Sequence, residues 1–596
     1  MMPESSDACD HSSMQARKPV TFRIARTTGA WITLLLVLAS FGPVAIAGTA
    51  AVAAPDRHGA AVAESVLRSG GNAVDAAVAT AFVLAVTFPE AGNLGGGGFV
   101  TLKFGDALRF LDFREVAPRA ATRDMYLDAA GKPIPGASLV GHRAAGVPGT
   151  VAGLWELHRQ YGTRPWAELL HPAIRLARDG FVPEAALRDS IDESLSDYAG
   201  KTNFARYFAS AGQSTAARNS PFRQAELART LQRIARQGAA GFYAGRTAEL
   251  IVAEMARGGG LITRADLTAY RALWRDPLRV PWRDFTLVSA PPPSSGGIAL
   301  VQLLRMKDAR AADFAGVAHN SARYAHLVAE ISKRVFADRA EYLGDPDFVT
   351  VPVTRLIDPD YLQRRAAEVR VDAISQLSAV KPGLAESPST THFSILDGAG
   401  NAIALTYTLN GGFGSGVVVK GAGFLLNNEM DDFSTKPGVP NLFGVVGGKA
   451  NEIAPGKRML SSMTPTLLLR DGKVRMVVGT PGGSTIFTAV FQTMLNRLDY
   501  GMSAAAAVGA SRFHHQLLPP NLIIHSRCCK LGDAAVLSDL QALGYEVRES
   551  PWEFGDMQLI DVDADGRVSA AADPRGRGVA QVFAVQPSAA ARSSGR

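Results

Sequence analysis

Pro388-Ser389-Thr390-Thr391-His392-Phe393-Ser394-Ile395-Leu396, with Thr406-Tyr407-Thr408-Leu409-Asn410 following eighteen residues on from Thr390 to Thr408, is the stretch on which the reading of this chain turns. A Ser-Thr bond leading into a strand-like run lets the Thr390 hydroxyl attack its own preceding carbonyl and leave Thr390 as a new N-terminus. A hydroxyl is a poor nucleophile at neutral pH, and a threonine paired with its own α-amine is one way to arm it. An α-amine titrates near roughly 8 in model peptides, where a general base is most useful. An internal threonine has an amide instead, so a cut before Thr390 both frees and arms the residue. Taken alone, these residues read better as an ordinary loop entering a strand.

The company they keep reverses that reading. Gly70-Gly71-Asn72-Ala73-Val74-Asp75-Ala76, Gly92-Asn93-Leu94-Gly95-Gly96-Gly97-Gly98-Phe99, Asp112-Phe113-Arg114-Glu115, Gly146-Val147-Pro148-Gly149-Thr150-Val151 and Pro291-Pro292-Pro293-Ser294-Ser295-Gly296-Gly297 stand in the first part of the chain. Asn427-Asn428-Glu429-Met430-Asp431-Asp432-Phe433, Ser461-Ser462-Met463-Thr464-Pro465 and Gly479-Thr480-Pro481-Gly482-Gly483-Ser484 follow in the second. In these blocks and their order, from about residue 51 to about 575, the chain resembles the γ-glutamyltransferases, or glutathione hydrolases, of the N-terminal-nucleophile (Ntn) hydrolase superfamily. The resemblance implies an α+β fold, an αββα sandwich of two stacked sheets between helical layers. It also implies one globular unit made of two chains produced by self-cleavage.

Composition agrees. The 596 residues are 47% hydrophobic and 20% charged, as in a globular protein. The formal net charge is +7, but the cations are scattered among acids with no long Lys/Arg run. That describes a solvated basic surface and not a nucleic-acid groove.

At the N-terminus, Arg17, Lys18, Arg23 and Arg26 precede an apolar run over residues 31–41, and Ala45-Ile46-Ala47 offers the small residues a signal peptidase accepts. Residues 1–47 are thus expected to be a leader directing export to the periplasm or beyond. Cleavage after Ala53 is the second choice, since residues 51–54 resemble the family's first mature strand. An uncleaved anchor is the third, disfavoured because the run is short for a membrane span. Loss of the leader removes Cys9 and leaves the adjacent pair Cys528 and Cys529, which bridge each other only through a strained ring and so supply no disulfide framework. His514-His515 is read as structural. With no Cys/His cluster at metal spacing, neither a metal nor an organic cofactor is implied.

Apolar periodicity predicts helices over residues 60–67 and 72–88, broken at Gly70-Gly71, then a strand pair beyond Gly98 and a mostly helical stretch over residues 148–260. Strands are expected over 392–396, 402–408, 466–469 and 474–478, and late helices over 485–499 and 534–543. Gly95 to Gly98 lacks the Lys-Ser/Thr of a phosphate loop and is read as close packing near the active site. Pro291 to Gly297 is read as a rigid turn.

The cut would give a large chain, residues 48–389, and a small catalytic chain, residues 390–596, held together as a heterodimer. Residues 378–389, rich in Pro and Ser, read as the flexible tail that moves away. By resemblance, Thr390 is the nucleophile, Thr408 hydrogen-bonds it and assists self-cleavage, and Gly482 and Gly483 stabilise the oxyanion. A γ-glutamyl group carries an α-carboxylate and an α-ammonium, which call for a cation at one end and carboxylates at the other. Arg114 matches the family's carboxylate-binding arginine, with Ser461 and Ser462 beside it; Glu429, Asp432 and Asn410 match the ammonium site. The implied substrates are glutathione and other γ-glutamyl compounds, with water, amino acids or dipeptides as acceptors.

One departure stands out. Residues 437–448 resemble the family's lid loop, but Phe443 sits where many relatives carry a tyrosine bonded to the Asn410 position, so the lid is expected to close by packing alone. Two rival readings remain. A cephalosporin acylase of the same superfamily acts on glutaryl groups, which have no α-amine and gain nothing from Glu429 and Asp432. A noncatalytic exported protein that binds γ-glutamyl peptides would not cut itself. A serine hydrolase is disfavoured by the absence of Gly-x-Ser-x-Gly.

Overall fold

The computed structural model describes residues 48–212, 220–375 and 390–586, apart from 437, 440, 443, 446, 551, 552 and 554. The expected leader, the tail over 378–389 with Ser389, and Phe443 therefore lie outside the described residues.

Sixteen strands are formed among the described residues. The part before Thr390 supplies β1 (Gly48–Ala54), β2 (Gly97–Phe104), β3 (Ala107–Asp112), β4 (Leu273–Arg275), β5 (Leu278–Trp282) and β6 (Phe285–Ser289). The part from Thr390 onward supplies β7 (Thr390–Leu396), β8 (Ala402–Thr408), β9 (Thr466–Arg470), β10 (Lys473–Gly479), β11 (Phe513–His514), β12 (Leu522–His525), β13 (Glu546–Glu549), β14 (Gln558–Val562), β15 (Val568–Ala572) and β16 (Val579–Val585). They assemble as a seven-stranded sheet in the order β16-β1-β7-β8-β2-β3-β4, a six-stranded sheet in the order β15-β14-β10-β9-β6-β5, and a small sheet β11-β12-β13. Each large sheet mixes strands from both sides of Thr390, so neither side can complete a sheet without the other.

Alternation along the strands explains the layers. On β7, β8 and β1, Phe393, Ile395, Ile403, Leu405, Ala50 and Val52 join the core beneath the helices Arg57–Arg68 and Ala73–Thr87. Their neighbours Leu396, Ala402, Ala404, Ala51 and Ala53 instead meet Leu467, Leu469, Val477 and Ile560 of the second sheet. A second helical layer, with Gly296–Ala309, Ala322–Tyr342 and Ile486–Leu498, covers the outer face of the six-stranded sheet. The order is helix, sheet, sheet, helix, as expected. Small alanines at the sheet-to-sheet contact let the two sheets approach closely.

Local signals set several boundaries. Ala73–Thr87 starts with a capping box in which Asn72 accepts from the backbone of Asp75 and Asp75 accepts from that of Asn72. Every residue of this helix is buried, which fits its uniformly apolar sequence. Cys528 and Cys529 are bonded to each other; the bridge closes no loop between distant segments. No helix among the described residues is long and apolar enough to cross a membrane.

Candidate active site

β7 and β8 place the central pair. They run antiparallel with Thr390 opposite Thr408, and the Thr390 hydroxyl donates to the Thr408 hydroxyl at 3.3 Å. By the two-residue period both side chains share the face that carries His392 and Thr406, toward the second sheet. Beyond β8 the chain turns sharply at Asn410, whose φ is 78° and whose N–H donates to Thr408 Oγ1 at 2.8 Å. That turn aims the Asn410 amide at the carbonyl of Asn428, 3.1 Å away. The run before β2 packs on the same strand end: Asn93 Nδ2 donates to the Thr408 carbonyl at 2.8 Å, and Gly97 pairs with Thr408.

Arg114 follows directly after β3 and Phe113. It is 1% exposed and faces three carboxyl groups. Nη1 lies 2.7 Å from Glu429 Oε2 and 3.6 Å from Glu115 Oε2, and Nη2 donates to Asp432 Oδ2. Glu429 and Asp432 lie on a single 3-10 turn, Glu429–Asp432, which presents both toward the arginine. Burial would lower the Arg114 pKa, but Glu429, Asp432 and Glu115 outweigh it and hold the guanidinium above its ordinary value. Burial pushes Glu115 up to about 8 against the pull of Arg114. It also raises Glu429 well above the carboxylate range, opposed by Arg114 and reinforced by Glu115 and Asp432. Asp432 is raised by burial against Arg114 and Arg339. Burial thus outweighs the pull of the guanidinium groups on these clustered carboxyls and favours a proton among them. The expected cation and carboxylates are thus not at opposite ends of the site but side by side, with Arg114 paired directly to Glu429 and Asp432.

The serines are held by the earlier part of the chain. Ser461 N–H donates to the Pro293 carbonyl at 2.9 Å, and Ser295 N–H and Oγ both donate to the Ser461 carbonyl, at 2.8 and 2.7 Å. The triple-proline block is thus a turn, as expected, and it leads into the helix Gly296–Ala309. Arg339 donates from Nε to Ser295 Oγ at 3.1 Å and from Nη2 to Ser462 Oγ at 3.2 Å. Sequence reasoning missed Arg339. It lies in the highly charged helix Ala322–Tyr342 with no motif around it.

Past β10, Gly482 and Gly483 adopt φ values of 135° and 53°, left-handed geometry that suits glycine. They form the turn into the helix Ile486–Leu498, and Thr485 N–H closes it on the Gly482 carbonyl at 3.0 Å. The start of a helix gathers N–H groups that favour negative charge.

One pocket unites these parts. Arg114, Thr390, Thr408, Asn410, Glu429, Asp432, Ser461, Ser462 and Gly483 all line it, with Arg339, Met463 and Ile486 beside them. Gly482 is the one candidate outside the lining, one residue back in the same turn. His514 and His515 stay structural. His514 bonds Thr488 and Gln516 and is lowered to about 4 by burial, and His515 bonds the Leu522 carbonyl and is lowered by burial to about 3. Among the described residues no group of His, Cys, Asp and Glu is arranged to hold a metal ion.

Residues 59–583 match the family model described as Gamma-glutamyltranspeptidase. The glutathione hydrolase proenzyme of Pseudomonas aeruginosa is 56% identical over 95% of this chain and 99% of its own length. That of Escherichia coli is 45% identical over 88% of this chain and 90% of its own. Among solved structures, gamma-glutamyltranspeptidase from Pseudomonas nitroreducens complexed with L-DON is 55% identical with a TM-score of 0.53, covering 54% of this chain and 95% of that one. The cephalosporin acylase of Bacillus halodurans is 25% identical with a TM-score of 0.76, covering 90% of this chain and 96% of that one.

Proposed function

Because the chain belongs to the gamma-glutamyltranspeptidase family, we propose a residue-by-residue mechanism in which Thr390, once freed by self-cleavage, is the nucleophile of the pocket described above. The protein is a γ-glutamyltransferase and glutathione hydrolase. The observation that carries the mechanism is the meeting, in one pocket, of Thr390 with Arg114, two carboxylates and two serines, a set that suits the adjacent α-carboxylate and α-ammonium of one amino acid.

In this reading the chain cuts itself before Thr390 into residues 48–389 and 390–596, and the two pieces stay together because both large sheets are built from strands of each. The donor's α-carboxylate sits against Arg114, Ser461 and Ser462. Its α-ammonium sits against Glu429, Asp432 and the Asn410 side. The Thr390 hydroxyl attacks the γ-carbonyl carbon and gives its proton to its own α-amine. Negative charge on the carbonyl oxygen is met by backbone N–H groups at Gly482 and Gly483, an arrangement that typically lowers such barriers by about 3 kcal/mol per donor. The proton passes to the departing amine, leaving a γ-glutamyl ester on Thr390. Water then gives hydrolysis; the amine of an amino acid or dipeptide gives transfer.

A glutaryl acylase reading is weaker, since two buried carboxyl groups in the pocket would face a donor with no ammonium to pair with them. The leader over residues 1–47 would carry the enzyme to the periplasm or outside the cell, which cell fractionation and N-terminal sequencing of the large chain would test.

The test of the mechanism is intact mass and N-terminal sequencing of wild type and Thr390→Ala, with turnover of γ-glutamyl-p-nitroanilide by both. The expected result is a small chain beginning at Thr390, lost together with activity in the variant. An uncut, active wild type would overturn it.

A further inference from the structure

The loop after the ammonium-binding carboxylates folds back onto them through one side chain. Asp432 divides its carboxylate: Oδ2 faces Arg114 Nη2, and Oδ1 accepts from Asn441 Nδ2 at 3.1 Å. The other end of the same amide, Asn441 Oδ1, accepts from Val445 N–H at 3.2 Å. Backbone bonds from Gly444 N–H to the Asn441 carbonyl, 3.0 Å, and from Asn441 N–H to the Val445 carbonyl, 3.3 Å, close the turn. Asn441 therefore ties Gly444 and Val445 to a carboxylate that lines the pocket.

The next residue is held independently. Leu442 N–H donates to Asp431 Oδ2 at 2.6 Å, and Asp431 Oδ1 accepts from Ser138 Oγ at 2.6 Å. Two consecutive aspartates of one 3-10 turn thus grip two consecutive residues of the loop. Only Asp432 lines the pocket; Asp431 is 4% exposed and turned toward Ser138 in the part of the chain before Thr390. Of these two tethers, one lies in the pocket and the other outside it.

We propose that Asn441 is a specificity-determining positioning residue: it fixes the Asp432 carboxylate for the donor's α-ammonium. The proposal rests on the placement of the ammonium at Asp432 given above. Asp432 pairs with Arg114. A donor bearing both α-charges competes for both partners, its carboxylate for Arg114 and its ammonium for Asp432. With Oδ1 already held by Asn441, the Asp432 carboxylate keeps its orientation through that exchange, and the ammonium meets an acceptor that does not have to be reordered. A ligand lacking the α-amine brings only the carboxylate that competes for Arg114; it offers Asp432 no cation and draws nothing from Asn441. The amide of Asn441 thus adds affinity only for amino-bearing ligands.

L-glutamate and glutarate differ by that amine alone and serve as the probes. Their inhibition constants are measured against γ-glutamyl-p-nitroanilide turnover for wild type, Asn441→Ala, Asn441→Ser and Asp431→Asn. The serine hydroxyl can still close a turn but is too short to reach Asp432. The expected result is that both Asn441 variants weaken glutamate by about tenfold or more, the scale of one charge-assisted hydrogen bond, and leave glutarate within about twofold. Asp431→Asn loosens the loop from the other side and weakens both ligands by a common factor. Equal weakening of glutamate and glutarate in the Asn441 variants would reduce Asn441 to a structural element of the turn and overturn the proposal, as would an unchanged ratio. Absence of γ-glutamyl turnover in the wild type would instead remove the functional reading on which it rests.

Discussion

The Thr390 hydroxyl donates to the hydroxyl of Thr408, its direct antiparallel partner, at 3.3 Å. Thr408 Oγ1 also accepts the Asn410 N–H at 2.8 Å, so one oxygen holds the proposed nucleophile and pins the turn that carries Asn410, a residue of the proposed ammonium site.

Thr408→Val keeps the shape of the side chain and removes that oxygen. Two donors lose their acceptor in a buried site, at about 1–3 kcal/mol each. Self-cleavage should slow by about tenfold or more, followed as a time course of the two chains on denaturing gels, while Thr408→Ser should process at nearly the wild-type rate. Equal rates in all three proteins would remove Thr408 from the mechanism.

Arg114→Lys retains the charge but not the fork that reaches Glu429 with one nitrogen and Asp432 with the other. An ammonium satisfies one of them and leaves the other carboxylate unpaired in a buried site, a loss of about 3–5 kcal/mol. The expected outcome is a fall in kcat/KM for γ-glutamyl-p-nitroanilide of at least about a hundredfold, carried mainly by KM. A change confined to kcat would mean that Arg114 does not bind the donor.

The carboxyl groups around Arg114 hold protons at higher pH than ordinary carboxylates, Glu115 up to about 8 and Glu429 and Asp432 raised by the same burial. The sign follows. A raised folded-state pKa favours the folded protein below the ordinary carboxylate range near 4, and this contribution is lost as pH rises through the raised value. An incoming ammonium needs the ionised forms, so donor affinity should improve between about pH 6 and pH 8. The upward shift of Tm produced by saturating L-glutamate should accordingly be larger at pH 8 than at pH 6; a larger shift at pH 6 would contradict the charge assignment.

Gly479 ends β10 beneath the ring of His392, and a Cβ there would lie 2.3 Å from the ring Cε1. The ring cannot swing away easily, because Nδ1 bonds Thr406 Oγ1 at 2.7 Å and Nε2 bonds Ser394 Oγ at 3.1 Å in a buried setting. Gly479→Ala should therefore destabilise the protein by about 1–3 kcal/mol, the usual cost of overpacking, and lower Tm measurably. An unchanged Tm would mean that the two sheets can separate locally to admit a methyl group.

Much of this was legible in the linear order of residues. The nucleophile, its partner eighteen positions on, the glycine turn and the carboxyl, hydroxyl and guanidinium groups stand in short blocks, each with a local backbone requirement. The strands at Thr390–Leu396 and Ala402–Thr408 and the helix Ile486–Leu498 fall within a residue or two of where apolar alternation and periodicity put them. These are short-range properties, decided by which residues repeat every two or every 3.6 positions.

Tertiary structure alone decided who meets whom. That β16 lies beside β1, that Arg114 pairs with Glu429 and Asp432, and that Arg339 and Asn441 belong to the pocket or its support involve partners far apart in the chain or, for Asn441, a turn whose direction no local pattern fixes. The sequence by itself determined which chemical groups were available and which local conformations would hold them. The distances between charges, and with them the protonation of the site, came from packing, because burial and a neighbour's charge exist only once distant segments share one core.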